Sequence, residues 1–165
     1  MATTIREARP EDCEVLAGLI RDLAIYEKLE HEAKATADDL RRHLFGQRPY
    51  AQALIAEVEG QASGFALYFS NFSTFKGKPG IYLEDLFVKP EHRGQGIGKA
   101  LLARLAKIAL ERDCGRFEWA VLDWNASSIA FYQSLGARPM NDWTVFRVDG
   151  EALGKLAEHD IAGTE

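Results

Sequence analysis

Val88-Lys89-Pro90-Glu91-His92-Arg93-Gly94-Gln95-Gly96-Ile97-Gly98-Lys99 sets three glycines at alternate positions between an apolar run and a helical pattern. Upstream, residues 81–88 read as a strand. Downstream, Leu101, Leu105 and Ile108 recur at helical spacing and predict a helix over 96–112. The stretch is therefore a strand, a short loop and a helix start. Gly94, Gly96 and Gly98 let the backbone take positive φ and come close to a ligand. The first N–H groups of a helix have no intrahelical partner, and with the helix dipole they form an anion site. Arg93 and Lys99 add positive charge, so a pyrophosphate is the natural occupant. Two known phosphate loops fit less well. The dinucleotide fingerprint runs G-x-G-x-x-G near the first strand of its domain, whereas these glycines run G-x-G-x-G after the fourth. A P-loop needs Gly-Lys-Ser/Thr, and here Ala100 follows Lys99.

Outward from this segment, the pattern predicts a first strand over 4–8. A helix opened by Pro10 follows, with Glu11 and Asp12 in its first turn and an apolar stripe of Val15, Leu16, Leu19, Ile20 and Leu23. A second helix starts near Thr36, which has Asp39 three residues on, as in a capping box. Strands over 51–58 and 62–70 flank a hairpin turn at Glu59-Gly60-Gln61, and 71–80 reads as a loop. After the long helix come a strand over 117–122, a helix capped by Asn125 and ending near Gly136, a strand over 143–148 and a short helix over 151–157. The order β-α-α-β-β-β-α-β-α-β implies an antiparallel meander joined to a right-handed parallel unit. That is an α/β (α+β) domain: a mixed, twisted central sheet with helices on both faces.

The 165 residues suit one domain, with 47% hydrophobic and 27% charged residues as in ordinary globules. No apolar run approaches membrane-spanning length, so no membrane partner is expected. The N-terminus lacks the charged-then-apolar build of a secretory signal, and Cys13 and Cys114 show no metal or redox spacing. A reduced, cytoplasmic setting is the expectation. His31, His43 and His159 give no ligand spacing, so no metal is expected, and His92 beside Arg93 reads as a surface loop residue rather than a catalytic histidine. The net charge of −5 speaks against nucleic acid as a partner and suits a cationic substrate.

Arg93-x-x-Gly96-x-Gly98, set between this strand and this helix, resembles the coenzyme A pyrophosphate loop of the Gcn5-related N-acetyltransferases. The element order resembles that family's fold, in which the sheet splays after the fourth strand. Residues 5–157 are similar to its diamine acetyltransferase branch. Tyr82-Leu83-Glu84-Asp85-Leu86-Phe87-Val88 resembles the central strand, Trp124-Asn125 and Phe131-Tyr132 the acceptor helix, and Ile25-Tyr26-Glu27-Lys28-Leu29 the end of the first helix. Ser73-Thr74-Phe75-Lys76-Gly77-Lys78 and Ala120-Val121-Leu122-Asp123-Trp124-Asn125 look closest to the thialysine N-ε-acetyltransferase members. The resemblance implies a single N-acetyltransferase domain over 1–165, acetyl-coenzyme A as co-substrate, a small amine as acceptor and a homodimer. Exposed Trp and Phe near the C-terminal strand suit such an interface.

An amine near pKa 10.4 is almost all ammonium at neutral pH, and deprotonating it costs about 4–5 kcal/mol. A group must accept that proton, and Glu84 is the candidate, acting through water; its plain alternative is an ion-pair partner on a half-exposed strand. Asp85 points the other way on an ideal strand, so a bulge would be needed to bring both carboxylates toward one cleft, and the resemblance implies that Asp85 helps bind the cation. Tyr132, otherwise a core tyrosine, is implied to protonate the departing thiolate. The backbones of Leu86, Phe87 and Val88 are implied to pair with the pantetheine amides, with an N–H near Phe87 facing the oxyanion. Arg93, Gly94, Gln95, Gly96, Ile97, Gly98 and Lys99 cradle the pyrophosphate. Asn125, Ser127 and Ser128 cap their helix and are implied to touch the coenzyme. Tyr26 and Glu27, and less strongly Glu118 and Trp119, suit an ammonium through an aromatic face or a carboxylate.

Diamine members carry an acidic residue and a tryptophan in the loop before the central strand, where this sequence has Ser73 and Phe75. The loop before Trp143 is also shorter and less acidic. Both departures favour a short amine, such as thialysine or lysine, over a long polyamine; spermidine, spermine and protein amines stay as alternatives. The rival classes are a non-catalytic coenzyme A-binding module and a nucleotide-binding domain.

Overall fold

The computed structural model describes residues 2–161. Its elements are β1 (Thr3–Glu7), α1 (Cys13–Tyr26), α2 (Ala37–Phe45), β2 (Gln52–Val58), β3 (Gln61–Ser73), β4 (Lys78–Val88), α3 (Ile97–Glu111), β5 (Phe117–Trp119), α4 (Ala126–Ser134) and α5 (Gly150–Ala157). By internal contacts the chain divides into two units, Met1–Ala120 and Val121–Glu165.

In the first unit the five strands lie in sequence order, β1 to β4 antiparallel and β5 parallel to β4. The sheet is mixed and carries helices on both faces, as the element order implied. Ile55, Phe65 and Phe87 stand opposite one another on β2, β3 and β4, and with Leu16, Leu19 and Leu23 of α1 and Leu40 and Leu44 of α2 they form one buried cluster. Leu54 and Ala66 alternate to the other face, which α3 covers; a Cβ on Gly98 of α3 sits 3.8 Å from Leu86. Two caps start the helices of the first face. Arg9 N–H donates to Asp12 ahead of α1, and Thr36 with Asp39 closes the expected capping box on α2. Val15 departs from its expected place in the α1 stripe: it is 44% exposed, while Cys13, two residues before it and so on nearly the opposite side of the helix, is buried.

Three sequence expectations are corrected. The loop over 71–80 is mostly strand, because β3 and β4 go on pairing past the end of β2 and turn only over 74–77. Gly77 (φ +64°) makes that turn, and Lys78 pairs with Asp113 at 3.0 Å. The strand expected over 117–122 stops at Trp119, where its pairing with β4 stops at Leu83.

The third correction lies in the second unit, which holds α4 and α5. No strand forms over 143–148: Trp143, Val145 and Phe146 are exposed, and among the described residues no strand pairs with this segment. An alternating apolar pattern gives strand propensity, but only a ladder partner makes a strand.

Candidate active site

Beside Leu83 the central sheet opens. The β3–β4 register runs Leu67↔Asp85 and then Tyr68↔Leu83, which leaves Glu84 as the extra residue of a bulge. A bulge bends its strand and re-aims the side chains around it. β5 follows β4 only over Ile81–Leu83, so the stretch from Glu84 to Val88 has β3 along one edge and is not paired with β5 along the other. This is the splay, and the bulge is its local cause.

The same bulge sorts the side chains. Tyr82 stands opposite Phe69, Asp85 opposite Leu67 and Phe87 opposite Phe65, all on the face that α1 and α2 cover. An undistorted strand would put Tyr82 on the face away from Asp85 and Phe87. Glu84 is exposed and Asp85 half-buried. The Asp85 carboxyl is pushed up to about 7, first by burial and then by the negative charges of Glu84 and Glu27. Burial also raises Glu27, and Tyr82 is raised by burial and by Glu84, Glu118 and Asp85. Glu27, just past the last residue of α1, thus joins the two β4 carboxylates in one acidic cluster.

Glu118 and Trp119 belong to this neighbourhood less closely. Glu118 is Tyr82's partner across the β4–β5 ladder, but it pairs with Arg116 at 2.8 Å and accepts from Asn71 at 3.3 Å. Trp119 stands opposite Leu83 and packs against Phe117, with ring centroids 4.9 Å apart.

The glycine loop follows β4. After a short turn at Pro90–His92, Gly94 and Gly96 both adopt left-handed backbone, at φ +78° and +79°. Gly96 is the N-cap of α3, and no side chain caps that end. A Cβ added at Gly94 or Gly96 meets nothing within 4 Å, so the loop lies open on its ligand side. Ile97, 1% exposed, anchors the first turn in the core, while Gln95 and Lys99 are exposed. An open, glycine-lined helix start with Arg93 and Lys99 beside it fits a pyrophosphate.

Arg93 takes a position the sequence does not foretell. Its Nε donates to the Val88 carbonyl at 3.0 Å, and its guanidinium lies over the ring of Tyr26, 4.7 Å from the centroid, and near Phe87 at 5.6 Å. A cavity of about 450 Å³ opens there between the last turn of α1 and the end of β4, lined by Asp22, Tyr26, Phe87, Lys89 and Arg93 among others. Asp22 and Lys89 were not singled out from sequence. Asp22 lies one helical turn before Tyr26, and that spacing is the signal that finds it.

The remaining expected residues lie in the second unit. Asn125 caps α4 as expected: its Oδ1 accepts from Ser128 N–H and from the Ser127 hydroxyl, both at 3.3 Å. Tyr132 lies in the last turn of α4, its ring centroid 5.7 Å from that of Phe131, and Gly136 (φ +93°) follows the helix end.

Comparison with known proteins adds four findings. The sequence profile described as "Acetyltransferase (GNAT) family" matches residues 19–137. The chain is 43% identical over 164 residues to a thialysine N-epsilon-acetyltransferase of Sus scrofa, covering 93% of this chain and 96% of that one. It is 30% identical to the L-ornithine N5-acetyltransferase NATA1 of Arabidopsis thaliana, covering 98% of this chain and 90% of that one. Among solved structures, an integron cassette protein from the mobile metagenome of V. cholerae superposes with a TM-score of 0.81 at 30% identity, covering 96% of this chain and 99% of that one.

Proposed function

The chain belongs to the acetyltransferase (GNAT) family and is an N-acetyltransferase, and on that premise we propose that its acceptor is the side-chain amine of a short cationic amino acid of the thialysine or lysine type. Members of the family use acetyl-coenzyme A. The observation that carries the acceptor reading is the cluster of Glu27, Glu84 and Asp85 at the β4 bulge, whose charges act on one another. Three carboxylates in a partly buried setting favour a cation, and Tyr26 offers an aromatic face beside them. The relatives named for thialysine and L-ornithine support a short side-chain amine. So does the exposed Phe75 at the β3–β4 turn, where the diamine members carry tryptophan.

In the proposed reaction the ammonium gives its proton through water to a carboxylate of the cluster. The neutral nitrogen attacks the thioester carbonyl, the tetrahedral intermediate loses the nitrogen's second proton through water and collapses, the C–S bond breaks, and Tyr132 protonates the thiolate. Solvent restores both groups. Glu84 is the proposed proton acceptor, as its place on the central strand implies. One observation favours a second assignment: the Asp85 carboxyl, near 7, is matched to accept a proton around neutral pH. The glycine loop from Arg93 to Lys99 holds the pyrophosphate, and the open edge of Leu86, Phe87 and Val88 takes the pantetheine amides. Asn125, Ser127 and Ser128 are proposed coenzyme contacts by resemblance alone.

The profile match crosses the division at Ala120, which supports one N-acetyltransferase domain over 1–165. We place the protein in the cytoplasm as a homodimer. Free Cys13 and Cys114 suit a reducing compartment, and exposed Trp143, Val145 and Phe146 suit burial against a second copy. Among the described residues no helix is long and apolar enough to cross a membrane, and no group of three ligating side chains could hold a metal.

The test is thiol release from acetyl-coenzyme A across thialysine, lysine, ornithine, putrescine, spermidine and a short peptide. The highest kcat/KM is expected with thialysine or lysine. A clear preference for spermidine or the peptide overturns the acceptor, and no release with any of them overturns the reading. Tyr132→Phe should lower kcat about 100-fold or more while leaving coenzyme affinity near its original value; unchanged kcat removes Tyr132 as the acid.

A further inference from the structure

Arg93 joins two functions that are otherwise separate. It belongs to the loop that takes the coenzyme, yet its guanidinium lies 4.7 Å from the centroid of Tyr26, at the end of α1 beside Glu27. Its Nε also donates at 3.0 Å to the Val88 carbonyl, on the strand edge open to the pantetheine. We propose that Arg93 occupies the acceptor's aromatic seat on Tyr26 and that coenzyme A, by drawing Arg93 off it, opens that seat to the amine. The inference rests on the acceptor reading above.

The physical reasons are three. One ring face holds one cation, so an ammonium cannot settle where the guanidinium already lies. The coenzyme competes for both of Arg93's holds: a pantetheine amide takes the Val88 carbonyl, and the pyrophosphate offers the guanidinium a charge-assisted, bidentate partner that a ring face does not match. A ligand that stabilises one of two side-chain positions shifts the population toward it. Coenzyme and acceptor therefore bind with positive coupling, and by linkage the acceptor also tightens the coenzyme. The device favours loading the coenzyme before the amine.

Calorimetric titration of L-lysine or thialysine, with and without saturating coenzyme A, tests this without turnover. In the unaltered protein coenzyme A should tighten the amine about two- to fivefold, the span that a cation–π contact of about 0.5–1 kcal/mol gives at about 1.4 kcal/mol per tenfold. Arg93→Ala should weaken coenzyme A yet tighten the amine in its absence by the same factor and abolish the coupling. A residue that merely shaped the loop would not improve amine binding. Because removing a positive charge also attracts a cation in general, the substitution is repeated with Tyr26→Leu, where only that general effect is left and the tightening should be smaller. Tightening of the same size with Tyr26→Leu overturns the proposal, as does an Arg93→Ala protein that binds the amine no better. If the amine binds and is acetylated but shows neither effect, the proposal falls and the acceptor reading stands. If no amine binds in any form even with coenzyme A present, both fall.

Discussion

The glycine loop and the acidic cluster lie in the same unit and are built in opposite ways. The loop from Arg93 to Lys99 is consecutive backbone: two left-handed glycines, an uncapped helix start and one buried anchor, Ile97. The cluster is side chains, with Glu27 from the end of α1 and Glu84 and Asp85 from a bulge in β4. A backbone site binds through N–H groups whose charge does not titrate. A carboxylate site is tuned by its surroundings, and here burial and two like charges carry Asp85 to about 7. In the proposed reading the coenzyme is assigned to the untitratable half and the amine to the half that can be retuned.

Removing a carboxylate has the largest expected effect. The group that takes the proton should cost about 100- to 10,000-fold in kcat/KM when made an amide. The pH profile tells the two candidates apart. A base must be unprotonated to act, so with Asp85 as acceptor kcat/KM rises with pH through about 7. Asp85→Asn then removes that rise. Glu84→Gln keeps it but moves it to lower pH, because Glu84's charge is one of the causes that raise Asp85. If Glu84→Gln abolishes the rise instead, Glu84 is the base and Asp85 binds the cation.

A second effect has the opposite sign and concerns stability. The folded-state pKa of Asp85 is raised from 3.8 to about 7, so the folded protein holds this proton over a range where the unfolded chain has lost it. Stability falls as pH rises from about 4 to about 7 and stays lower above that. Asp85→Asn lacks this penalty. It should melt with the unaltered protein near pH 4 and gain on it up to pH 8, by on the order of 4 kcal/mol. Thermal or urea unfolding at the two pH values measures it. A variant less stable at pH 8 would mean that Asp85 makes favourable contacts that outweigh its burial. If Asp85 is the proton acceptor, its raised pKa serves catalysis at a cost in stability, the usual trade at an active site.

The same contrast explains what could be read in advance. The loop was legible because its parts are adjacent in the chain and each glycine has a local reason. The meander and the parallel crossover followed from the order of hydrophobic periods. The cluster was legible residue by residue, since Glu27, Glu84 and Asp85 each stood out, but the bulge that unites them depends on the β3–β4 register, which no local pattern fixes. The end of β5 at Trp119 was hidden for the same reason: its pairing with β4 stops at Leu83, the residue before the bulge. Over 143–148 the pattern promised a strand, but pairing is a long-range fact. The Arg93–Tyr26 stack joins loop and helix through a side-chain position that sequence does not encode.

The smallest expected effect falls on the loop and asks whether the two halves are separable. Gly96 has φ +79° and open space where a Cβ would go, so Gly96→Ala meets no clash and costs only the left-handed backbone, about 1–2 kcal/mol. The backbone can relieve that cost by leaving the left-handed region, and the N–H groups at the start of α3 then point elsewhere. Acetyl-coenzyme A should bind about tenfold more weakly or worse, while the rise of kcat/KM through pH 7 stays where it is, because no carboxylate has changed its neighbours. If the rise moves together with the coenzyme affinity, the loop reaches the carboxylates, and Arg93, whose guanidinium already touches Tyr26 at the end of α1, is the path by which it does so.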